Sequence, residues 1–214
     1  MRYRLAIFDF DGTLADSAGW FVGVLNDLAR SHGFRQVDEV ETEALRRCGN
    51  REIIRRLAVP RWKLPLIAAS LRARMAEEAA AIALFPGVEA ALLALGGAGV
   101  VCAVVSSNAE ANVRRILGPD AAAAVSHFAC GAGLFGKARL FRRVMRRADV
   151  PASQTICIGD EQRDIEAARA AGAAAGAVLW GYASPDLLVR CGPTLAFERP
   201  ADIALRLLPQ GAAA

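Results

Sequence analysis

The sequence of 214 residues predicts an α/β fold, a Rossmann-like, three-layer parallel-sheet core carrying an inserted all-helical cap. Short apolar runs suited to buried parallel strands alternate with helical segments. The alternation breaks once, between residues 16 and 84, where only helical patterns occur. Polar groups suited to a phosphate or a hard cation stand where the strands end, the edge at which parallel sheets bind ligands.

In chain order, strands are expected at residues 3–10 (YRLAIFDF), 100–106 (VVCAVVS), 155–159 (TICIG) and 175–180 (AGAVLW), with a fifth at 125–130 (VSHFAC). Helices are expected between them at 87–95, 109–117, 137–148 and 165–171. Right-handed crossovers would align the carboxyl ends of all these strands. Inside the interruption, helical patterns fall at 18–32, 37–47, 51–57 and 64–82, with Pro60 and Pro65 as punctuation. The expected domains are therefore a core of 1–15 plus 85–214 and a helical cap of 16–84 lying over the sheet's carboxyl edge. The terminal Gly-Ala-Ala-Ala reads as a frayed tail.

Composition narrows the function. At 54% hydrophobic and 22% charged the chain is globular, not disordered. No apolar run reaches the roughly 20 residues needed to span a bilayer, and the N-terminus lacks the features of a cleaved leader. The five cysteines are scattered and form no CxxC pair, which suits free thiols and argues against a zinc site. A cytoplasmic protein is expected. The net charge of +4 invites a nucleic-acid partner, but the arginines are interleaved with acids and lack aromatic companions, so none is expected. Of 26 basic residues only Lys63 and Lys137 are lysines, so a lysine here suggests that lysine chemistry was wanted.

Four motifs carry the chemistry. The first strand ends in Asp9-Phe10-Asp11-Gly12-Thr13, two carboxylates whose repulsion favours a cation or a shared proton. An Asx turn at Asp11-Gly12 is the competing reading. The second strand ends in Ser106-Ser107-Asn108, able to hold a phosphate oxygen or simply to cap a helix. Lys137 opens a helix, where the dipole disfavours a cation unless anions are near, although an exposed charge on a frayed turn would look the same. The fourth strand runs into Gly159-Asp160-Glu161-Gln162-Arg163-Asp164, hard carboxylates suited to Mg²⁺ or, alternatively, an acidic helix start with Asp160 as N-cap. Four accidents of capping would not be expected to fall on one sheet edge.

The order DFDGTL, VVSSN, GK and IGDEQRDIEAARAAG resembles the haloacid dehalogenase superfamily, and within it the phosphoglycolate phosphatase-like branch. The resemblance implies that Asp9 is the nucleophile and a metal ligand, and that Asp11 is the general acid/base whose main-chain carbonyl also meets the metal. It implies that Lys137 steadies nucleophile and phosphate, that Ser106, Ser107, Gly12 and Thr13 bind the phosphate, and that Asp160 and Asp164 complete a Mg²⁺ site. Asn50 and Arg51, in the glycine-containing turn Gly49-Asn50-Arg51, would face the substrate from the cap. Two departures stand out: Ala138 follows Lys137 where the branch often has proline, and Glu161-Gln162 replaces a smaller polar residue. The expected activity is hydrolysis of a small phosphorylated metabolite through an aspartyl-phosphate, by a monomer or homodimer. A sugar phosphomutase shares the core. A phosphoaspartate signalling module would not need Asp11 or a large cap. A halide leaving group would not need the acid Asp11 either, so that residue argues for phosphoryl transfer.

Overall fold

The computed structural model describes residues 3–131 and 136–209. Its strands and helices follow in the order β1 (Leu5–Phe8), β2 (Ala15–Asp16), α1 (Ala18–His32), α2 (Glu39–Leu45), α3 (Asn50–Arg56), α4 (Leu64–Glu78), β3 (Ala83–Leu84) and α5 (Val88–Gly97). The chain continues with β4 (Val101–Val105), α6 (Glu110–Ala123), β5 (Val125–Ala129), α7 (Lys137–Ala148), β6 (Thr155–Gly159), α8 (Gln162–Ala171) and β7 (Ala174–Val178). It closes with α9 (Pro185–Arg190), β8 (Leu195–Phe197) and α10 (Ala201–Leu207).

Six parallel strands form one sheet in the order β5-β4-β1-β6-β7-β8. Period-two alternation splits the core of β1 between two faces. Ala6 and Phe8 pack with Leu92, Leu95, Val113 and Ile203 from α5, α6 and α10. Leu5 and Ile7 pack with Phe141, Val144, Ile165 and Leu188 from α7, α8 and α9. This is the expected three-layer arrangement. The strands are full-width apolar runs because both faces are covered.

The register positions the site. Phe8 lies level with Val104 on β4 and Ile158 on β6. Continuing past these residues, adjacent strands deliver Asp9, Ser106 and Asp160 to one edge.

Some elements correct the sequence reading. Residues 16–84 contain strand after all: β2 and β3 pair antiparallel, Ala15 with Leu84 and Asp16 with Ala83, closing a neck where the helical insertion leaves and rejoins the core. Two-residue strands are too short to show a period. The strand β8 and helices α9 and α10 lie beyond the last strand that the alternation marks, and β8 has only three residues. The helix expected at 109–117 continues to Ala123, but through a break at Gly118-Pro119, where Gly118 takes φ 73°. The tail 211–214 lies outside the described residues.

The insertion has its own small core of Leu25, Val37, Leu45 and Leu57. Lys63 donates from Nζ to the carbonyl of His32 at 2.6 Å, capping α1 rather than joining the sheet edge. Trp20 Nε1 of α1 donates to Glu78 of α4 at 2.7 Å, and Arg74 Nε reaches the same carboxylate at 3.1 Å. The Trp20 bond first, and the Arg74 bond second, hold Glu78 below the usual glutamate range. A carboxylate depressed in the folded state stabilises above its unfolded pKa and loses that contribution as pH falls through the folded one. In a pH series of thermal unfolding, Glu78→Gln should therefore lower the midpoint near neutrality and flatten the acid limb, so that the two curves converge as pH falls below the ordinary glutamate range.

Candidate active site

The turn after β1 is built by its backbone. The N–H groups of Thr13, Leu14 and Ala15 all converge on the carbonyl of Phe10, and Gly12 N–H donates to Ala15 O at 2.9 Å. Gly12 sits at φ +77°, and a Cβ there would stand 2.6 Å from Tyr182 Cδ2 and closer still to Asp160. Only glycine permits that approach. The turn carries Asp9 and Asp11 on either side of the buried Phe10.

Asp9 extends the ladder, its N–H donating to Ile158 O at 2.8 Å, while its Oδ1 accepts from Phe10 N–H at 2.8 Å. Its Oδ2 meets Lys137 Nζ at 2.5 Å, and the same ammonium meets Asp164 Oδ1 at 2.5 Å. All three side chains are at most 6% exposed, so charge is paired where water cannot screen it. The lysine lies at the first position of α7, against the dipole, because two anions face it. Burial pulls its pKa down, but Asp164 and Asp9 together outweigh this and leave it raised.

Asp160 is fully buried. Its Oδ1 accepts from Thr13 Oγ1 and its Oδ2 from Tyr182 N–H, both at 2.8 Å. The hydroxyl of Thr13 thus serves a carboxylate. The N-cap of α8 is Glu161, not Asp160: Glu161 accepts from the Asp164 N–H, and Asp164 Oδ2 accepts from the Glu161 N–H at 3.1 Å. This reciprocal box shows what the unusual Glu161 does. It locks Asp164 in place, while Arg163 pairs with Glu161 and Asn50 of α3 donates to it at 2.9 Å.

One oxygen from each of Asp9, Asp160 and Asp164 lies within 4.8 Å of the others. Burial raises Asp160 well above the ordinary range, with Glu161, Asp9 and Asp164 adding to the effect. Burial likewise raises Asp9 against the pull of Lys137. Buried hard oxygens with more negative than positive charge suit Mg²⁺, which would relieve both the desolvation and the repulsion. The residues present fit that ion.

Asp11 sits beside the cluster. Its Oδ1 accepts from Ser17 Oγ at 3.3 Å, and Asn108 Nδ2 lies 3.4–3.5 Å from its two oxygens. Burial, then the charge of Asp9, pushes its carboxyl up to about 7. Ser106 Oγ accepts from Asn108 N–H at 3.0 Å, which leaves its own proton free to donate elsewhere. Ser107 offers its carbonyl to Arg72 of α4 at 3.3 Å. Arg51 is exposed and lines a surface groove with Arg55 and Arg61 instead of meeting the cluster.

Sequence reasoning missed Ser17, Asn108 as a partner of Asp11, and Tyr182. The Gly181-Tyr182 pair just past the last expected strand was the available signal. A Cβ at Gly181 would stand 2.5 Å from Gly12 O and as close to Asp160, so the two glycines let both loops close on one carboxylate.

A buried acidic cluster at the carboxyl edge of a parallel sheet, clasped by one lysine and overlain by helices, defines a class of hydrolase. The match to the haloacid dehalogenase-like hydrolase model over residues 6–178 places this chain in that family, to which it belongs. The phosphoglycolate phosphatase of Synechococcus elongatus is 31% identical over 92% of this chain and 93% of its own length. That of Xanthomonas campestris pv. campestris is 32% identical over 87% and 88%. The solved structure of a haloacid dehalogenase-like hydrolase from Streptococcus pneumoniae superposes with a TM-score of 0.79 at 17% identity, over 97% of this chain and 99% of the other, and shows the same fold.

Gly12→Ala should cost about 1–3 kcal/mol for the left-handed backbone alone, and more for the collision with Asp160. The fall in urea-unfolding free energy measures it; an unchanged midpoint would contradict the close packing described.

Proposed function

We propose that this chain is a Mg²⁺-dependent phosphatase that hydrolyses a small phosphate monoester through a phosphorylated Asp9, with 2-phosphoglycolate the first substrate to test. One observation carries the reading. A carboxylate held by lysine at a strand end, Asp9, has a second carboxyl two residues on that is pushed up to about 7. A nucleophile and an acid/base differ in what they need, and here a lysine faces one carboxyl while the neutral donors of Ser17 and Asn108 face the other.

Asp9, Asp160, Asp164 and the Asp11 main-chain carbonyl would hold the ion. When bound, Mg²⁺ offsets the repulsion between an anionic nucleophile and an anionic phosphoryl group. An Asp9 oxygen attacks phosphorus, and the bond from phosphorus to the ester oxygen breaks. Asp11 gives that oxygen its proton, so the leaving group departs as a neutral alcohol. Now a carboxylate, Asp11 takes a proton from water, whose oxygen attacks phosphorus. Asp9 is regenerated, inorganic phosphate leaves, and Asp11 is protonated again. Lys137 balances charge on Asp9 throughout, and the Ser106 hydroxyl donates to a phosphoryl oxygen. Gly12 and Thr13 act through the turn, their N–H groups donating to Ala15 O and Phe10 O, and Ser107 would add to the phosphate cradle beside Ser106.

The helical insertion, with Asn50 near Glu161, forms the roof that selects the alcohol portion. The likeness to relatives named phosphoglycolate phosphatase supports a short, acidic alcohol. Five free cysteines suit a reducing cytoplasm, and no helix among the described residues is long and apolar enough to cross a membrane.

Purified protein should release phosphate from p-nitrophenyl phosphate and from 2-phosphoglycolate with Mg²⁺. Activity should vanish on chelation with EDTA and return on adding Mg²⁺. Asp9→Asn should lower kcat at least about a thousandfold; near-wild-type turnover would end the proposal. With a sugar monophosphate, ³¹P NMR should show free phosphate, whereas an isomerised ester would identify a mutase.

A further inference from the structure

Ser17 occupies the N-cap position of α1, yet its hydroxyl makes no bond to the helix. A serine there ordinarily accepts from the N–H groups of the first turn. Fully buried, this one turns the other way, with Oγ 3.3 Å from Asp11 Oδ1 and 2.8 Å from Tyr182 Oη. Tyr182 follows β7, far away in sequence, so neither contact is an accident of chain neighbourhood.

Tyr182 is held from several directions. Its ring packs edge-on against Phe21 of α1 with centroids 5.8 Å apart. Its N–H serves Asp160 at 2.8 Å, and its carbonyl accepts from Arg46 Nε at 3.0 Å. Backbone and ring are thus engaged by the core and the insertion together, leaving the phenol hydroxyl aimed at Ser17.

We propose that Tyr182 is a positioning residue for the acid/base Asp11, acting through Ser17; the proposal rests on the phosphatase reading above. The direction of the chain follows from donor inventory. Ser17 Oγ donates its single proton to Asp11 Oδ1, so toward Tyr182 it can only accept, and the phenol O–H donates. Asn108 braces the carboxyl from the other side, its amide orientation set because its Oδ1 accepts from Ala109 N–H at 2.8 Å and Asn112 Nδ2 at 3.1 Å. With Ser17 donating to Oδ1 and the Asn108 amide spanning both oxygens at 3.4–3.5 Å, the plane of the carboxyl is fixed from two sides. Ser17 follows the neck strand β2, and Phe21 and Arg46 belong to the insertion, so the relay draws on core and insertion together.

The test exploits leaving-group chemistry. An alkoxide needs a proton from Asp11, whereas p-nitrophenolate leaves without much help. Tyr182→Phe keeps the ring on Phe21 and the backbone bond to Asp160, and removes only the hydroxyl. The loss in kcat/KM should be about tenfold greater on 2-phosphoglycolate than on p-nitrophenyl phosphate, with the Mg²⁺ concentration for half-activation within about twofold of wild type. kcat/KM reports transfer to Asp9 and excludes the later attack by water. Ser17→Ala should show the same selective loss, and the double variant should be no worse than Ser17→Ala alone, because Tyr182 reaches Asp11 only through Ser17. Equal losses on the two esters, no loss, a shifted Mg²⁺ requirement or additive effects would each overturn the relay. A wild-type protein inactive on both esters would overturn the phosphatase reading and the relay with it.

Discussion

Burying Asp9, Asp160 and Asp164 within reach of one another is the constraint that organises the rest of the molecule. Like charges in a poorly screened site repel strongly, and their desolvation alone is costly. Lys137 answers two of them directly, at 2.5 Å each. Thr13 and Tyr182 satisfy the third with a hydroxyl and a backbone N–H. The remaining excess of negative charge is of the kind that a divalent cation would offset.

Glycine is the device that makes such crowding possible. Gly12 and Gly181 approach Asp160 from two loops, and at Gly159 a Cβ would collide with Asp164. Each lets backbone stand where a side chain would otherwise hold the carboxylates apart. Around them the central strands β1, β4, β6 and β7 are apolar and buried almost throughout, so their register fixes where each strand end falls.

The insertion is more than a lid laid on that edge. Arg46 donates to the carbonyls of Tyr182 and Gly181, Arg72 to Ser107, and Asn50 to Glu161. Of these partners, Tyr182 donates its N–H to Asp160, Glu161 shares the capping box with Asp164, and Ser107 follows Ser106. Docking of the helices and arrangement of the carboxylates are therefore coupled. The two paired strands of the neck and these hydrogen bonds together join the insertion to the core.

The sheet core and four strand-end motifs were legible because they rest on local chemistry: apolar runs of strand length, an Asp-Phe-Asp-Gly turn, a lysine in an arginine-rich chain. The neck strands, β8, and the last two helices were not, being too short to show a period. Asp160 could be read as an N-cap from its neighbours; only the fold shows Glu161 in that role and Asp160 turned inward. Arg51, plausible from its turn, points to solvent because α3 presents Asn50 to the core instead. By itself, then, the order of residues determined which groups end each strand and what chemistry they can do. Tertiary structure alone decided that Ser17, Asn108 and Tyr182 surround Asp11, because their contacts span up to 165 positions and depend on loops meeting across the sheet edge. No local pattern encodes a distance of that kind; close packing does.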